Sequence, residues 1–250
     1  TLNQTSATRS LHPGWQIVVV CCVVGILCYG VRHSFSAFFH SILNEFGWGR
    51  GDTALMLSLH LLSYGIFAPI IGTLTDRWKP KRVMLAGVII VGTTAALCSL
   101  GSALWHFYLL FGVLTPIGLA CCGSPVMNPT IANWFTDRRG LALGLAQMGG
   151  GLSFVYVIAV EYTIELFNWR FAYVLMGAAV VCILIPLIAA FYYFHPAQKG
   201  VSAFRSRSNQ ERSPNRPRHR QSERAEWNLR QALTSYRLWL LVISNMCFWG

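Results

Sequence analysis

A helix rises about 1.5 Å per residue, so about 20 consecutive apolar residues cross a hydrocarbon core of about 30 Å. Six runs in this chain meet that length: Trp15 to Phe39, Ala54 to Thr75, Val83 to Leu104, Phe107 to Pro129, Leu141 to Thr163, and Phe171 to Phe194. The first is too long for the core of a signal peptide and has no small-residue cleavage site behind it, so it is expected to be retained as a membrane helix. Only 12% of residues are charged, against about 25% in an ordinary soluble domain. Lipid is therefore the solvent for most of the chain.

The net charge of +11 raises nucleic acid as a partner, but the basic residues sit in short clusters between apolar runs, with no soluble domain to carry a binding face. No nucleic-acid partner is expected. The eight cysteines all lie inside apolar runs without metal-ligand spacing, so neither a disulfide nor a metal is expected. No cofactor is expected either.

Orientation follows from Lys and Arg in the short loops, which the cytoplasmic side retains. Arg77, Lys79, Lys81 and Arg82 lie between the second and third runs, and Arg138 and Arg139 between the fourth and fifth. The opposite loops hold only Arg50 and Arg170. A cytoplasmic N-terminus is expected, in a multi-pass protein of the plasma membrane. The expected organisation is a tail over 1–14, a six-span bundle over 15–194, a basic linker over 195–235 and the start of a seventh span over 236–250. Lys199 to Arg237 contributes ten basic residues in a Ser, Pro, Asn and Arg mixture too polar to bury a core. Trp227 to Leu241 regains helical apolar spacing, as an interfacial helix would. Because the seventh run starts near Leu238 and the chain has no initiator Met, a longer protein with a second bundle is expected.

A weak internal repeat appears at an offset of about ninety residues: FGWGRG (Phe46, Arg50, Gly51) matches FTDRRG (Phe135, Arg139, Gly140), and WKPKRV matches WRFAYV. Three helices reverse direction, so the two halves would be inverted copies. The fold class is thus an all-α membrane protein, a six-helix bundle built from two inverted three-helix repeats, plus the start of a seventh span.

After the second run stands Gly72-Thr-Leu-Thr-Asp76-Arg77-Trp-Lys79-Pro-Lys81-Arg82. It resembles the loop signature of the major facilitator superfamily, with Lys79 where that family usually has Gly. The resemblance implies a conformational latch built from Gly72, Asp76, Arg77, Lys81 and Arg82, joined by Arg138 and Arg139. Gly72 would allow close helix approach, and Asp76 would pair with Arg or cap a neighbouring helix. A second set of segments narrows the group. Pro13-Gly14-Trp15, Tyr29-Gly30-Val31-Arg32-His33-Ser34-Phe35, Glu45-Phe46-Gly47-Trp48, Asn133-Trp134-Phe135, Arg138-Arg139-Gly140 and Asn168-Trp169-Arg170 look like monocarboxylate porters and oxalate/formate antiporters. In the porters a lysine comes three or four residues after the Tyr-Gly pair, where this chain has Arg32 and His33. The fifth run lacks the Gly-Pro pair typical of drug-proton antiporters, which disfavours multidrug efflux.

Polar groups in hydrocarbon are costly and usually face a cavity. Tyr29, Arg32, His33 and Ser36 share a face of the first span, His60 and Tyr64 of the second, Cys121, Ser124 and Asn128 of the fourth, and Gln147 with Gly150 or Gly151 of the fifth. The candidate substrate pathway is Tyr29, Arg32, His33, Ser36, His60, Tyr64, Asn128 and Gln147. Arg32 either snorkels to the surface or holds an anion, His33 is either a hydrogen-bonded core histidine or a titrating group, and the others either bond helix to helix or face solute. Gly140, Gly144 and Gly149 to Gly151 are expected to be close-packing sites, and Pro69, Pro116, Pro125, Pro129 and Pro186 to bend their helices. Neither His-Glu-x-x-His nor Gly-x-Ser-x-Gly occurs, so an enzyme is not expected. The function expected is secondary active transport of small organic anions by alternating access. Its partners would be that anion, protons as an open second partner, membrane lipid, and the C-terminal half of the same transporter. The alternative is a major facilitator transporter of a different small solute or, in a different class, a non-transporting membrane sensor or membrane-embedded enzyme.

Overall fold

The computed structural model describes residues 13–195, 235–236 and 239–240. The tail, the linker and the seventh span expected from the sequence fall almost wholly outside the described residues. By contact the chain divides into a unit over Thr1–Ser206 and a second over Arg207–Gly250. The six spans belong to the first.

The first span is α1 (Pro13–His33) continued by α2 (Phe35–Phe46). They are parted at Ser34, whose hydroxyl donates to Gly30 O at 2.7 Å. The main-chain N–H of Ser34 keeps its own bond to that carbonyl at 2.9 Å, so Gly30 O accepts both. Gly47 then takes the left-handed conformation (φ 64°), closing the helix through its N–H to Leu43 O. The second span, α3 (Arg50–Arg77), and the third, α4 (Pro80–Cys98), are joined by Trp78 (φ −105°, ψ 163°) and Lys79 (φ −67°, ψ 117°). Both are extended conformations open to any residue, so Lys79 replaces the family's usual glycine without backbone strain. Pro80 then opens α4, where its missing N–H is no loss.

The fourth span is irregular: α5 (Leu104–Phe107), a π-helix over Tyr108–Leu114, α6 (Thr115–Cys122), and α7 (Ser124–Trp134) after an extended Gly123. It therefore runs past Pro129, which lies inside α7 and not at the end of the span. The fifth span is α8 (Arg139–Leu166) and the sixth α9 (Trp169–Phe191). The first turn of α9 is capped by Asn168, which accepts from the Phe171 N–H at 2.8 Å. Helices α3 and α9 continue through Pro69 and Pro186.

Among the described residues, six helices are long and apolar enough to cross a membrane. Three of their pairings form a symmetric set. Span one packs most extensively against span five, span four against span two, and span six against span three, while span three packs at least as much on span four. Exchanging the first three spans with the last three maps the first three of these pairings onto themselves. The arginines matched in the repeat, Arg50 and Arg139, each open a helix of 28 residues. Spans one and four are central, each 61% buried over its most apolar stretch, whereas spans two and five are each 22% buried.

Close approach is made by glycine at particular points. A Cβ on Gly149 of α8 would collide with the Cys22 carbonyl group of α1, and one on Gly87 would lie 2.8 Å from Gly118 O. Gly72, Gly140, Gly144 and Gly151 have no atom within 4 Å of such a Cβ. The expected close packing at those four is thus absent among the described residues.

Both ends of the bundle are tied. At one end Lys81 Nζ donates to Ala189 O (2.6 Å) and lies 5.1 Å from the Tyr193 ring centroid. A cation suits the carbonyl end of α9. Trp134 Nε1 donates to Tyr193 O (2.7 Å), and Thr130 shares a hydrogen bond with the Tyr192 phenol (2.6 Å). At the opposite end Glu45 accepts from the Trp169 indole and pairs with Arg170, which lies 4.3 Å from the Trp169 ring centroid. Phe46, Trp48, Phe107 and Trp169 cluster around that pair.

Candidate functional site

The polar residues of the spans converge between α1, α3, α7 and α8. Gln147 of α8 donates from Nε2 to Ser124 Oγ (3.0 Å) and Asn128 Oδ1 (3.2 Å) of α7. Ser124 Oγ lies 3.5 Å from the Tyr29 phenol of α1. The phenol of Tyr64, from α3, comes to the same point. Gly123 makes this convergence possible, since a Cβ there would lie 3.1 Å from both the Tyr29 and Tyr64 hydroxyls. Four helices thereby meet through side chains that stay half-buried or exposed.

Arg32 sits one turn along α1 from Tyr29, half-buried, with its guanidinium carbon 5.9 Å from the Tyr64 ring centroid. Among the described residues the one ion pair is Arg170 with Glu45, so the guanidinium of Arg32 faces an aromatic ring and no carboxylate. Cation–π attraction holds the charge while leaving its planar fork of donors free for an anion.

His33 points the other way, to α8. Its Nδ1 lies 2.7 Å from Ser153 Oγ, and Ser153 donates its hydrogen to Gly150 O at 2.5 Å. The serine therefore accepts, and Nδ1 of His33 carries the proton. The imidazole stacks on Phe154 at 4.6 Å and 4°. His60 is wholly buried, with Nδ1 2.8 Å from Phe111 O of the π-helix. Ser36 lies beyond the break on α2, exposed, and donates to His33 O at 3.0 Å. The eight residues inferred from helical spacing thus form a joined group, Tyr29, Arg32, Tyr64, Asn128 and Gln147, with His33, Ser36 and His60 on separate contacts. Ser153 was missed, although a hydroxyl beside the Gly149 to Gly151 segment of an apolar span was a usable signal.

The proposed latch residues are spread along the end that holds the 78–79 and 135–138 loops. Asp76, Arg77 and Arg82 make no ion pair among the described residues, whereas Lys81 is spent on the end of α9. Arg138 adopts φ 59°, and Arg139 Nε donates to Phe135 O at 2.6 Å, closing the turn into α8.

Six apolar membrane-length helices in two inverted triplets, with polar side chains gathered between the central helices, define a multi-pass helical membrane protein of inverted-repeat type. The sequence matches the Major Facilitator Superfamily over residues 21–250, and the chain belongs to that family. It is 31% identical to monocarboxylate transporter 12 of Xenopus laevis over 70% of this chain and 40% of that protein. It is 34% identical to monocarboxylate transporter 3 of Mus musculus over 66% of this chain and 33% of that protein. The chain thus spans two fifths or less of the length of these curated relatives. Among solved structures, a bacterial homolog of the human lysosomal transporter Spinster, inward-facing and unoccupied, shares the fold with a TM-score of 0.66 at 19% identity. That match covers 81% of this chain and 47% of that one.

Proposed function

We propose that this chain is the N-terminal half of a secondary active transporter that moves small organic anions, monocarboxylates foremost, by alternating access. The bundle would rock against a second one around a site near the membrane midplane. The observation that carries the reading is Arg32, whose partner is an aromatic ring. A guanidinium at membrane depth costs about 2.5 kcal/mol or more unless it is compensated. A substrate carboxylate would supply the missing charge through two parallel hydrogen bonds. The Tyr29, Ser124, Gln147 and Asn128 group beside it offers neutral donors and acceptors for the rest of a small solute. Support for the substrate class comes also from the relatives, which are named monocarboxylate transporters. The protein would sit in the plasma membrane with its N-terminus cytoplasmic, on the asymmetry of its loop Lys and Arg.

The test is uptake of a labelled monocarboxylate by the complete protein. Arg32→Gln is expected to abolish uptake at equal membrane abundance. Arg32→Lys, which keeps the charge and loses the fork, should weaken apparent affinity and leave residual transport. Arg32→Gln transport with unchanged affinity would reduce the residue to a snorkelling cation.

A further inference from the structure

In an α-helix each carbonyl receives the N–H four residues on, and in a π-helix the N–H five residues on. At the end of the π-helix the Thr115 N–H goes to Leu110 O. Phe111 O has therefore lost its α donor, Thr115. Its π donor would be residue 116, which is Pro116 and has no N–H. Within the span, that carbonyl has neither partner.

The replacement comes from another helix. His60 Nδ1 of α3 lies 2.8 Å from Phe111 O. A carbonyl only accepts, so Nδ1 carries the hydrogen. Nε2 is buried with no partner, so the contribution of this ring rests on its Nδ1–H. The surroundings bring α3 close: a Cβ on Gly112 would lie 2.8 Å from Leu59, and the Phe111 ring packs between Phe35 (5.0 Å) and His60 (4.7 Å). Thr115 Oγ1, 2.8 Å from Leu110 O and 3.0 Å from Thr94 Oγ1, holds the same turn from the side of α4.

A π turn admits one extra residue, so the helix that follows, α6, is rotated by about 100° and shifted by about 1.5 Å relative to an uninterrupted α-helix. Ser124 and Asn128 come next, past the extended Gly123, so the turn fixes where α6 delivers the chain to α7. We propose that His60 is a positioning residue: its Nδ1–H replaces the main-chain donor that Pro116 withholds from Phe111 O, and so holds span four in the register that turns Ser124 and Asn128 toward Gln147. Its importance for transport rests on that cluster being the solute pathway; its geometric effect does not.

The test uses the complete protein with its native cysteines replaced, and with Asn128→Cys and Gln147→Cys introduced for a short bifunctional methanethiosulfonate. His60→Asn, whose amide N–H occupies the place of Nδ1–H, should crosslink within about twofold of the parent, since it keeps a donor for the buried carbonyl. His60→Leu should crosslink on the order of tenfold less, because the carbonyl is left unsatisfied. Adding Pro116→Ala to His60→Leu should restore the yield by returning a main-chain N–H. Should His60→Leu not accumulate, His60→Gln, whose donor sits at the Nε2 position, takes its place and should fall below His60→Asn. Equal yields for Asn and Gln, an unaltered yield for Leu, or failure of Pro116→Ala to restore what Leu removed would each overturn the assignment. Lactate uptake by the His60 variants with cysteines intact is read separately: crosslinking lost without loss of uptake would leave His60 as a positioning residue and remove the cluster from the pathway.

Discussion

Gly149→Ala tests the central helix pairing, and its effect can be sized from geometry. The added Cβ would sit 3.0 Å from the Cys22 carbonyl carbon and 3.1 Å from its Cα, with the carbonyl oxygen nearer still. Ordinary contact between carbons is about 3.5–4.0 Å, and the obstacle is backbone in mid-helix, which has no rotamer to change. Spans one and five must part by about 0.5 Å or more, at an overpacking penalty of about 1–3 kcal/mol. Alanine also gains about 1 kcal/mol of helix propensity over glycine. Gly151→Ala in the same helix makes the same gain and meets nothing within 4 Å. The propensity gain cancels between the two variants, leaving the packing penalty as their difference. At roughly 3 °C per kcal/mol for a body of this size, Gly149→Ala should melt about 3–9 °C below Gly151→Ala. The assay is loss of the monodisperse chromatographic peak on heating the detergent-solubilised complete protein. Melting of the two variants within a degree of each other would refute the close approach of α1 and α8.

Asp76→Ala in the complete protein should slow turnover while membrane abundance stays near that of the parent, as expected if the exposed carboxylate engages a partner in only one conformational state; unchanged turnover would leave the 72–82 segment as a topology signal alone. Trypsin should cut between Lys199 and Arg224 only from the cytoplasmic side, because the segment is basic and comes after an even number of spans. Cleavage by protease added outside intact cells would reverse the orientation.

The spans were largely legible in the sequence, because uninterrupted apolar runs fix length and the Arg50/Arg139 repeat fixes where two of the helices begin, whereas which span packs on which was not. Helical spacing likewise brought Arg32 together with Tyr29, and Asn128 with Ser124. The irregular backbone was not legible. At the junction of α1 and α2 the Ser34 hydroxyl joins its own N–H on Gly30 O, a bond that many serines also make within a continuous helix. The π-helix ends beside Pro116 and meets His60, 51 residues from the carbonyl it bonds, which no local pattern announces. Pro116 and Pro125 stand in the first turns of α6 and α7, beside the π-helix and the extended Gly123, whereas Pro69, Pro129 and Pro186 lie within continuous helices. Gly72, Gly140 and Gly144 have no close neighbour among the described residues: small residues mark where contact is permitted, and only the three-dimensional arrangement shows where it occurs. The Glu45 contacts to Trp169 and Arg170 join the end of α2 to the start of α9, far apart in sequence, and carry no local signature.

The unequal lengths of the helices make the bundle sensitive to the membrane around it. Spans two and five have 28 residues each. At about 1.5 Å per residue they are about 42 Å long, well beyond a hydrocarbon core of about 30 Å. They tilt, or extend into the head groups at both surfaces. Span three has 19 residues. Its length of about 28 Å matches that core with nothing to spare. A thicker, sterol-rich bilayer would therefore strain span three first, by fractions of a kcal/mol per Å, while the long pair adjusts by standing more upright. Span three is tied through Lys81 to the end of span six, so bilayer thickness would act on the bundle unevenly, pulling at the third and sixth spans before it reaches the others.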